Sequence, residues 1–406
     1  MRKINTGDFR RATRTTSRQI NRQIVLNLVR EHQPISRAEL ARRMTAGRGA
    51  VTTLVNELLE EGTLYEGALA EAPRGRKPTM LYVRTRDRLV VAIDVRFSRT
   101  YVLLSDFSGT QIALESFETL FGPDALLDEL AVRVRRVLAT HGAAGSCQGI
   151  GMVLPGMVDR GTGRVLNAPQ LGWRDVEICD GLAQRTGLPV HVENAPAACA
   201  LAHIWLGTRA RELRDFVYVT VSDGVGTGVV VNGEVVRGHG HTAGEFGHIP
   251  IGSDGPTPRC LCGSVGCLEA YTSNLATVAR YLGQELSPAL RDRLHETQLT
   301  VEDVILRARG GDRQARTALE DTGRYLGLGL SMIVKALNPA QILLGGEITG
   351  AWDIIEPAIR AELSRGALTR DAAETPVIPE RAGSLPRLRG AIALVAAPVF
   401  AAPRVG

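Results

Sequence analysis

The chain has 406 residues, of which 44% are hydrophobic and 22% charged, and its formal net charge is +5. This composition is ordinary for a globular protein of two or three domains. No apolar run approaches the roughly 20 residues of a membrane-spanning helix, and residues 1–18 are basic and polar rather than a hydrophobic signal region. We therefore expect a cytoplasmic protein with no membrane partner, whose cysteines stay reduced.

The charge is unevenly distributed. Residues 1–90 contain 18 Lys or Arg and nine Asp or Glu, whereas the other 316 contain 30 and 34. A basic head on a mildly acidic body indicates a polyanion-binding module joined to a second function.

The head, residues 1–88, has the pattern of a winged helix-turn-helix domain. Apolar spacing predicts helices over 18–32 and 48–61, with a short helix between them that Ser36 caps. A tight turn at 45–47 separates the second and third helices. Short strands at 63–65 and 81–83 complete the expected two-stranded wing.

In this arrangement the N-terminal part of the third helix faces the bases in the major groove of double-stranded DNA. The wing, rich in arginine, suits the narrow minor groove. The predicted DNA contacts are Arg48, Thr52, Thr53 and Asn56 on the helix and Arg74, Arg76 and Lys77 on the wing. The alternative is a three-helix protein-interaction domain with solvated arginines.

The body, residues 89–406, alternates apolar strands with helices. Strands are predicted at 89–94, 101–106, 149–154, 190–193, 216–221, 229–231 and 341–344. Helices are predicted at 124–140, 196–206, 274–282, 301–309, 314–338, 352–364 and 390–397, the last closed by Pro398. This twofold repeat, with glycines at the crevice, predicts two α/β lobes that close on a ligand.

One stretch of the body carries a metal-ligand pattern. Cys260, Cys262 and Cys267 lie within eight residues, and His248 precedes them by twelve. Three thiolates and an imidazole form a complete tetrahedral set for structural Zn²⁺. Glu245 and Glu269 bracket this set, so a bound metal would hold both carboxylates rigid for a polyhydroxylated ligand. The alternative is that the cysteines are small buried residues and the glutamates a solvated face.

This block, together with the segments 154–159 and 167–173, resembles the signature of the ROK family of sugar kinases and repressors. The resemblance covers residues 89 to about 402, and the head resembles the DNA-binding domain of the repressor branch. It implies an α/β, two-lobed actin-like (ribonuclease H-like) domain, with lobe 1 at about 89–200 plus the C-terminal helix 387–402, and lobe 2 at about 201–386. It also implies a homodimer or a dimer of dimers.

The resemblance assigns the zinc ligands to His248, Cys260, Cys262 and Cys267. It implies that sugar hydroxyls are held by Asn194, Glu245, His248 and Glu269, with support from Gly156 and Asn167. His248 then binds zinc with one ring nitrogen and faces the sugar with the other.

Three departures from the kinase pattern indicate lost catalysis. The family's catalytic base follows Glu-Asn, where this chain has Ala195, and a methyl group cannot accept a proton. The first phosphate loop is crowded by the side chains of residues 95–98. In the second phosphate loop, Asp223 stands where the family has threonine and would repel a triphosphate.

The sequence therefore predicts a sugar-responsive transcription regulator, most plainly a repressor that a sugar or sugar phosphate releases from its operator, and not an enzyme. Two alternatives stay open. One is an ATP-dependent ROK sugar kinase with an attached DNA-binding head. The other is a vacant sugar site, with a protein partner such as a transporter subunit as the signal.

Overall fold

The computed structural model describes residues 13–69, 78–206, 214–252, 257–297, 299–381 and 384–401. The chain divides into two compact units. The head unit comprises Met1–Leu89, Asp106–Ser108 and Val395–Gly406, and the body unit comprises Val90–Ser105 and Gly109–Leu394. Within the described residues, no helix has the length and apolar character needed to cross a membrane.

The head unit is built from short helices and a small antiparallel sheet. Its elements are α1 (Arg14–His32), β1 (Ile35–Ser36), α2 (Arg37–Arg43), α3 (Arg48–Glu60), β2 (Leu64–Leu69) and β3 (Thr79–Val83). The Ser36 hydroxyl accepts a hydrogen bond from the Glu39 N–H at 3.2 Å and caps α2, as predicted. The strands lie in the order β1-β3-β2. The sequence did not predict β1, because a two-residue strand has no periodicity.

The first half of the body unit forms a lobe around a five-stranded sheet in the order β11-β7-β4-β5-β6, which we call the first lobe. The chain segment between β7 and β11 forms a separate small antiparallel sheet in the order β10-β9-β8. The elements are β4 (Leu89–Val95), β5 (Arg99–Asp106), β6 (Gln111–Glu118), α4 (Pro123–Thr140), β7 (Cys147–Leu154), β8 (Met157–Asp159), β9 (Arg164–Ala168), β10 (Trp173–Val176), α5 (Ile178–Thr186), β11 (Val190–Asn194) and α6 (Ala195–Leu206). Strands β4 and β7, which the sequence predicted as apolar strands, are buried on both faces.

The second half forms the second lobe around a sheet in the order β14-β13-β12-β15-β16. Its elements are β12 (Phe216–Val221), β13 (Val225–Val231), β14 (Glu234–Val235), α7 (Leu268–Thr272), α8 (Asn274–Tyr281), α9 (Pro288–Thr297), α10 (Val301–Arg309), α11 (Arg313–Leu337), β15 (Gln341–Gly345), α12 (Trp352–Gly366), α13 (Arg370–Ala373) and β16 (Val377–Pro379). One large apolar core joins this sheet to helix α11, the longest in the described chain. The predicted α/β class is confirmed.

The last helix, α14 (Pro386–Phe400), packs against the first lobe. A Cβ atom at Gly151 of β7 would lie 1.9 Å from the carbonyl oxygen of Ala391, so only glycine permits this approach. The prediction that Pro398 closes the helix was wrong, because α14 runs through Pro398 to Phe400. A proline in the last turn removes only one helical hydrogen bond, and only two residues of the helix follow it.

Candidate functional site

The predicted metal ligands come together in the second lobe. The ligand atoms of His248, Cys260, Cys262 and Cys267 all lie within 4.8 Å of one another. The Sγ atoms of Cys262 and Cys267 are 3.8 Å apart, and His248 Nδ1 is 3.9 Å from Cys260 Sγ. Zinc–sulfur bonds of about 2.3 Å in a tetrahedron require sulfur atoms roughly 3.8 Å apart. The donor set and its spacing therefore fit a tetrahedral metal ion.

Local backbone geometry holds these ligands. His248 ends a 3₁₀ turn, Phe246–His248, and a Cβ atom at Gly247 would lie 1.9 Å from the Val225 carbonyl oxygen. Cys267 precedes α7 and pairs with Pro250 in an isolated antiparallel bridge. Gly263 and Gly266, which lie between Cys262 and Cys267, have positive φ angles, as a tight turn around a metal site requires.

The three thiols differ in acidity. Burial raises the pKa of Cys260 and of Cys267. Desolvation alone would also raise the pKa of Cys262, but hydrogen bonds from the Ser264 backbone and from the neighbouring thiols lower it to about 7. Cys262, which is exposed, is therefore the thiol that ionises first.

Two carboxylates lie beside the metal-ligand cluster, Glu245 near His248 and Glu269 near Cys260. His248 Nε2 lies 4.0 Å from Glu245 Oε2. Glu269 accepts the Val225 N–H at 2.9 Å, and its other oxygen lies 3.5 Å from Cys260 Sγ. Desolvation raises the pKa of Glu245, and the Glu269 carboxylate adds to this rise against the opposing effect of His248. The structure thus groups Glu245, His248 and Glu269 as one wall of acceptors.

The other predicted sugar residues lie at the ends of first-lobe strands. Asn194 ends β11 opposite Leu154, and its Oδ1 accepts the Ala197 N–H at 3.1 Å. Gly156 has a φ of 97°, and a Cβ atom there would lie 2.3 Å from the Asn167 carbonyl oxygen. Gly156, Asn167 and Asn194 therefore form a second group at one edge of the first-lobe sheets.

Gln170 connects the two groups, and sequence reasoning missed it. A Cβ atom at Gly224 would lie 2.7 Å from Glu269 Oε2 and 3.1 Å from Gln170 Nε2. The turn between β9 and β10 therefore reaches the acceptor wall of the second lobe. The only sequence signal was the position of Gln170 within the segment 167–173.

Two ion pairs beside the site were also missed. Arg237 donates to Glu193 Oε2 from Nε at 3.1 Å and from Nη2 at 2.8 Å. His241 Nε2 lies 3.2 Å from Asp159 Oδ1. Each pair joins residues more than 40 positions apart, so no local motif signals it.

Two positions that depart from the kinase pattern, Ala195 and Asp223, adjoin residues of these groups in the chain. Ala195 is buried and begins α6 directly after Asn194. Asp223 stands in the turn between β12 and β13. Asp223 is partly open to solvent, yet desolvation by the neighbouring protein and, to a lesser extent, the Glu347 carboxylate raise its pKa.

The predicted DNA contacts on α3 share its outer face. Arg48, Thr53 and Asn56 are exposed and Thr52 is half-buried, while Val51, Leu54, Val55 and Leu58 face the core. The wing residues Arg74, Arg76 and Lys77 lie outside the described residues.

A model of the ROK family matches residues 91–397. The xylose repressor of Bacillus subtilis (strain 168) is 29% identical over 359 residues, which cover 87% of this chain and 88% of the repressor. The DNA-binding transcriptional dual regulator NagC of Escherichia coli (strain K12) is 28% identical over 377 residues, covering 89% and 88%.

Two solved structures are similar to this chain. A ROK family transcriptional regulator, a homolog of the E. coli MLC protein, has a TM-score of 0.78 and 27% identity, and the match covers 95% of this chain and 97% of that one. The ROK hexokinase of Thermus thermophilus has a TM-score of 0.58 and 29% identity, covering 77% and 98%. The repressor-type relatives match the head as well as the body.

Proposed function

Because this chain belongs to the ROK family, we propose that it is a sugar-responsive transcription repressor. One observation carries the proposal. Ala195, which is buried, stands in the sequence where the family pattern has the catalytic base, while Glu245, His248 and Glu269 remain close to one another. A site that keeps its hydroxyl acceptors and lacks a base can bind a sugar without transferring a phosphoryl group.

The head unit supplies the DNA-binding half of the proposal. Helices α1 to α3 and the sheet β1-β3-β2 have the element order of a winged helix-turn-helix domain, with α3 as the helix that enters the major groove. Arg48 is exposed at the first position of α3, where it can reach base edges or phosphates. The wing residues Arg74, Arg76 and Lys77 are assigned to the minor groove.

The effector is a sugar or sugar phosphate bound between the lobes. Glu245, His248 and Glu269 accept its hydroxyl groups from the second lobe, and Asn194, Gly156 and Asn167 line the first-lobe side. His248, Cys260, Cys262 and Cys267 would hold Zn²⁺, which would keep the His248 ring in a fixed orientation beside Glu245. In a homodimer, sugar-dependent movement of the lobes changes the spacing of two heads on an operator.

The test measures operator binding with and without sugar. Fluorescence anisotropy with inverted-repeat fragments from the promoter of its own gene, at several salt concentrations, should give sequence-selective binding that an effector sugar weakens. Candidate effectors come from a thermal-shift screen of sugars and sugar phosphates. A Glu245→Ala variant should bind the operator normally but lose the sugar response. Binding without sequence preference at every salt concentration contradicts the proposal.

A sugar kinase is the second candidate, and the similarity to a ROK hexokinase favours it. A coupled assay of ATP consumption over the same sugars separates the two functions. Turnover that is abolished in Glu245→Ala would favour the kinase, whereas sugar binding without turnover supports the repressor.

A further inference from the structure

The loop of residues 95–98 connects β4 to β5 beside the cleft. One of its side chains contacts the carboxylate of Asp94, which is fully buried. Arg96 Nε donates to Asp94 Oδ2 at 2.8 Å. The other oxygen of Asp94 forms an ion pair with Arg387 Nε at 2.7 Å. Two guanidinium groups thus neutralise Asp94, whose burial without them would be strongly unfavourable.

The same Arg96 side chain reaches the second lobe. Its Nη1 lies 3.4 Å from Glu347 Oε1, at the start of the 3₁₀ turn after β15. The second oxygen of Glu347 accepts from Asn274 Nδ2 at 2.9 Å, so this carboxylate is fixed within the second lobe. Burial alone would lower the pKa of Arg96, but the carboxylates of Asp94 and Glu347 raise it. The bridging charge is therefore permanent.

The next residue, Phe97, makes an independent contact across the cleft. Its ring packs on Phe121 of the first lobe with 5.4 Å between centroids. The guanidinium carbon of Arg291, on α9 of the second lobe, lies 5.3 Å from the centre of the Phe97 ring. A cation over an aromatic face at this distance is attractive. Two consecutive side chains of one first-lobe loop thus contact two separate elements of the second lobe.

We propose that Arg96 and Phe97 form a clasp that joins the two lobes where a kinase of this fold would hold nucleotide phosphates, and that this clasp sets the affinity for the effector sugar. Gln170 of the first lobe and Glu269 of the second lie close together in the same arrangement. The clasp therefore stabilises the form in which both walls of the sugar site face each other. A ligand that binds this form has lower affinity when the form is less populated.

The predicted effect of the clasp on sugar affinity rests on the proposed function, whereas the clasp itself does not. The experiment therefore measures the distance between the lobes and the sugar affinity separately. Nitroxide labels are attached through a keto amino acid at Val132 on α4 and Leu306 on α10, which are 51% and 66% exposed. Dilution with unlabelled chain removes distances between subunits. The distance distribution across the cleft is then recorded by pulsed electron paramagnetic resonance.

The variants Glu347→Ala and Arg291→Ala, singly and together, change only the second-lobe side and leave Asp94 paired. Glu320→Ala, an exposed carboxylate on α11, is the matched control. We expect the double variant to broaden the distribution toward longer distances, and Glu320→Ala to match the parent protein. A double variant with the parent's distribution would overturn the clasp.

Calorimetry with D-xylose, N-acetyl-D-glucosamine and N-acetyl-D-glucosamine 6-phosphate supplies the second measurement. Any of these that the parent protein binds should bind the double variant about tenfold more weakly. Equal affinity alongside a changed distance distribution overturns the link to the sugar. If the parent binds no sugar and the distances still respond, the clasp is supported and the proposed function fails.

Discussion

The side-chain amide of Asn27 on α1 donates a hydrogen bond to the backbone carbonyl of Phe400, with 2.8 Å between the two atoms. Gln23, one turn earlier, donates to the carbonyls of Val399 and Ala401 at 2.7 and 2.8 Å. These carbonyls belong to the last two residues of α14 and to Ala401 directly after it, and no helix residue follows to pair with them. The side-chain amides of Gln23 and Asn27 therefore cap the C-terminal end of α14.

Replacement of Asn27 should destabilise the head unit through the loss of this cap. We expect Asn27→Ala to lower the free energy of unfolding of the head unit by about 1–2 kcal/mol, because a half-buried carbonyl loses its donor. Asn21→Ala, an exposed asparagine on the same helix, is the control. Denaturant unfolding followed by a probe in the head measures both. Equal loss in the two variants would contradict the capping role.

The metal content of the protein should depend on the three cysteines of the Cys/His cluster. We expect about one Zn²⁺ per chain in the purified protein, and Cys267→Ser should lose the metal and much of the thermal stability, because a structural zinc ion contributes directly to folding. Cys147→Ala, at a buried cysteine outside the cluster, should keep the metal. Elemental analysis of both variants decides, and a folded parent protein without metal would exclude the site.

Operator binding should depend on Arg48. We expect Arg48→Ala to weaken operator binding about tenfold or more, because this arginine is exposed at the start of α3. If it contacts phosphate, the salt dependence of binding should also decrease by about one unit. Arg316→Ala, an exposed arginine in the body unit, serves as control. Unchanged affinity in Arg48→Ala would exclude this residue from the interface.

Gly156 should tolerate no side chain. Its φ of 97° and the nearby Asn167 carbonyl predict that Gly156→Ala destabilises the body unit by roughly 2 kcal/mol or more. Gly142→Ala separates the two causes, because Gly142 also has a positive φ of 58° but has nothing within 4 Å of an added Cβ atom. Thermal unfolding should therefore show a smaller loss at Gly142.

Alkaline pH should destabilise the body unit through Cys179. Burial, aided by the neighbouring Asp180, raises the pKa of this thiol to about 12, from an unfolded value of 9.0. The folded thiol keeps its proton where the unfolded one releases it, so this contribution to stability is complete below pH 9 and is lost as pH rises toward 12. Between pH 8 and 10 the parent should lose about 1 kcal/mol relative to Cys179→Ala. Parallel pH profiles of unfolding would contradict this.

The sequence predicted features whose residues lie close together along the chain. The third head helix, the Ser36 cap of α2 and the Cys/His cluster depend on spacings of a few residues, which periodicity and ligand patterns reveal. The pairing of Arg96 with Glu347 joins positions 251 residues apart, and that of Asn27 with Phe400 joins positions 373 apart. Such contacts depend on how the sheets and helices assemble, so no local pattern contains them.

For the same reason, the sequence could not predict the partners of Arg96. The sequence indicated only that residues 95–98 would crowd a phosphate. The fold adds that Arg96 and Phe97 have partners of their own across the cleft. Among the secondary elements of the body, the sequence did not predict strands β6, β8, β9, β10, β14 and β16 or helices α5, α7, α9 and α13. These elements are short, or polar residues interrupt their apolar pattern.

The alanine that begins α6 has a consequence for signalling. Under the proposed function, a receptor without a general base at Ala195 returns its sugar unaltered, so each binding event leaves the supply of sugar as it was. Occupancy then follows the free concentration of the sugar, and the response ends only when transport falls or other enzymes remove it. A single methyl group would thereby make gene expression a measure of nutrient level instead of nutrient consumption.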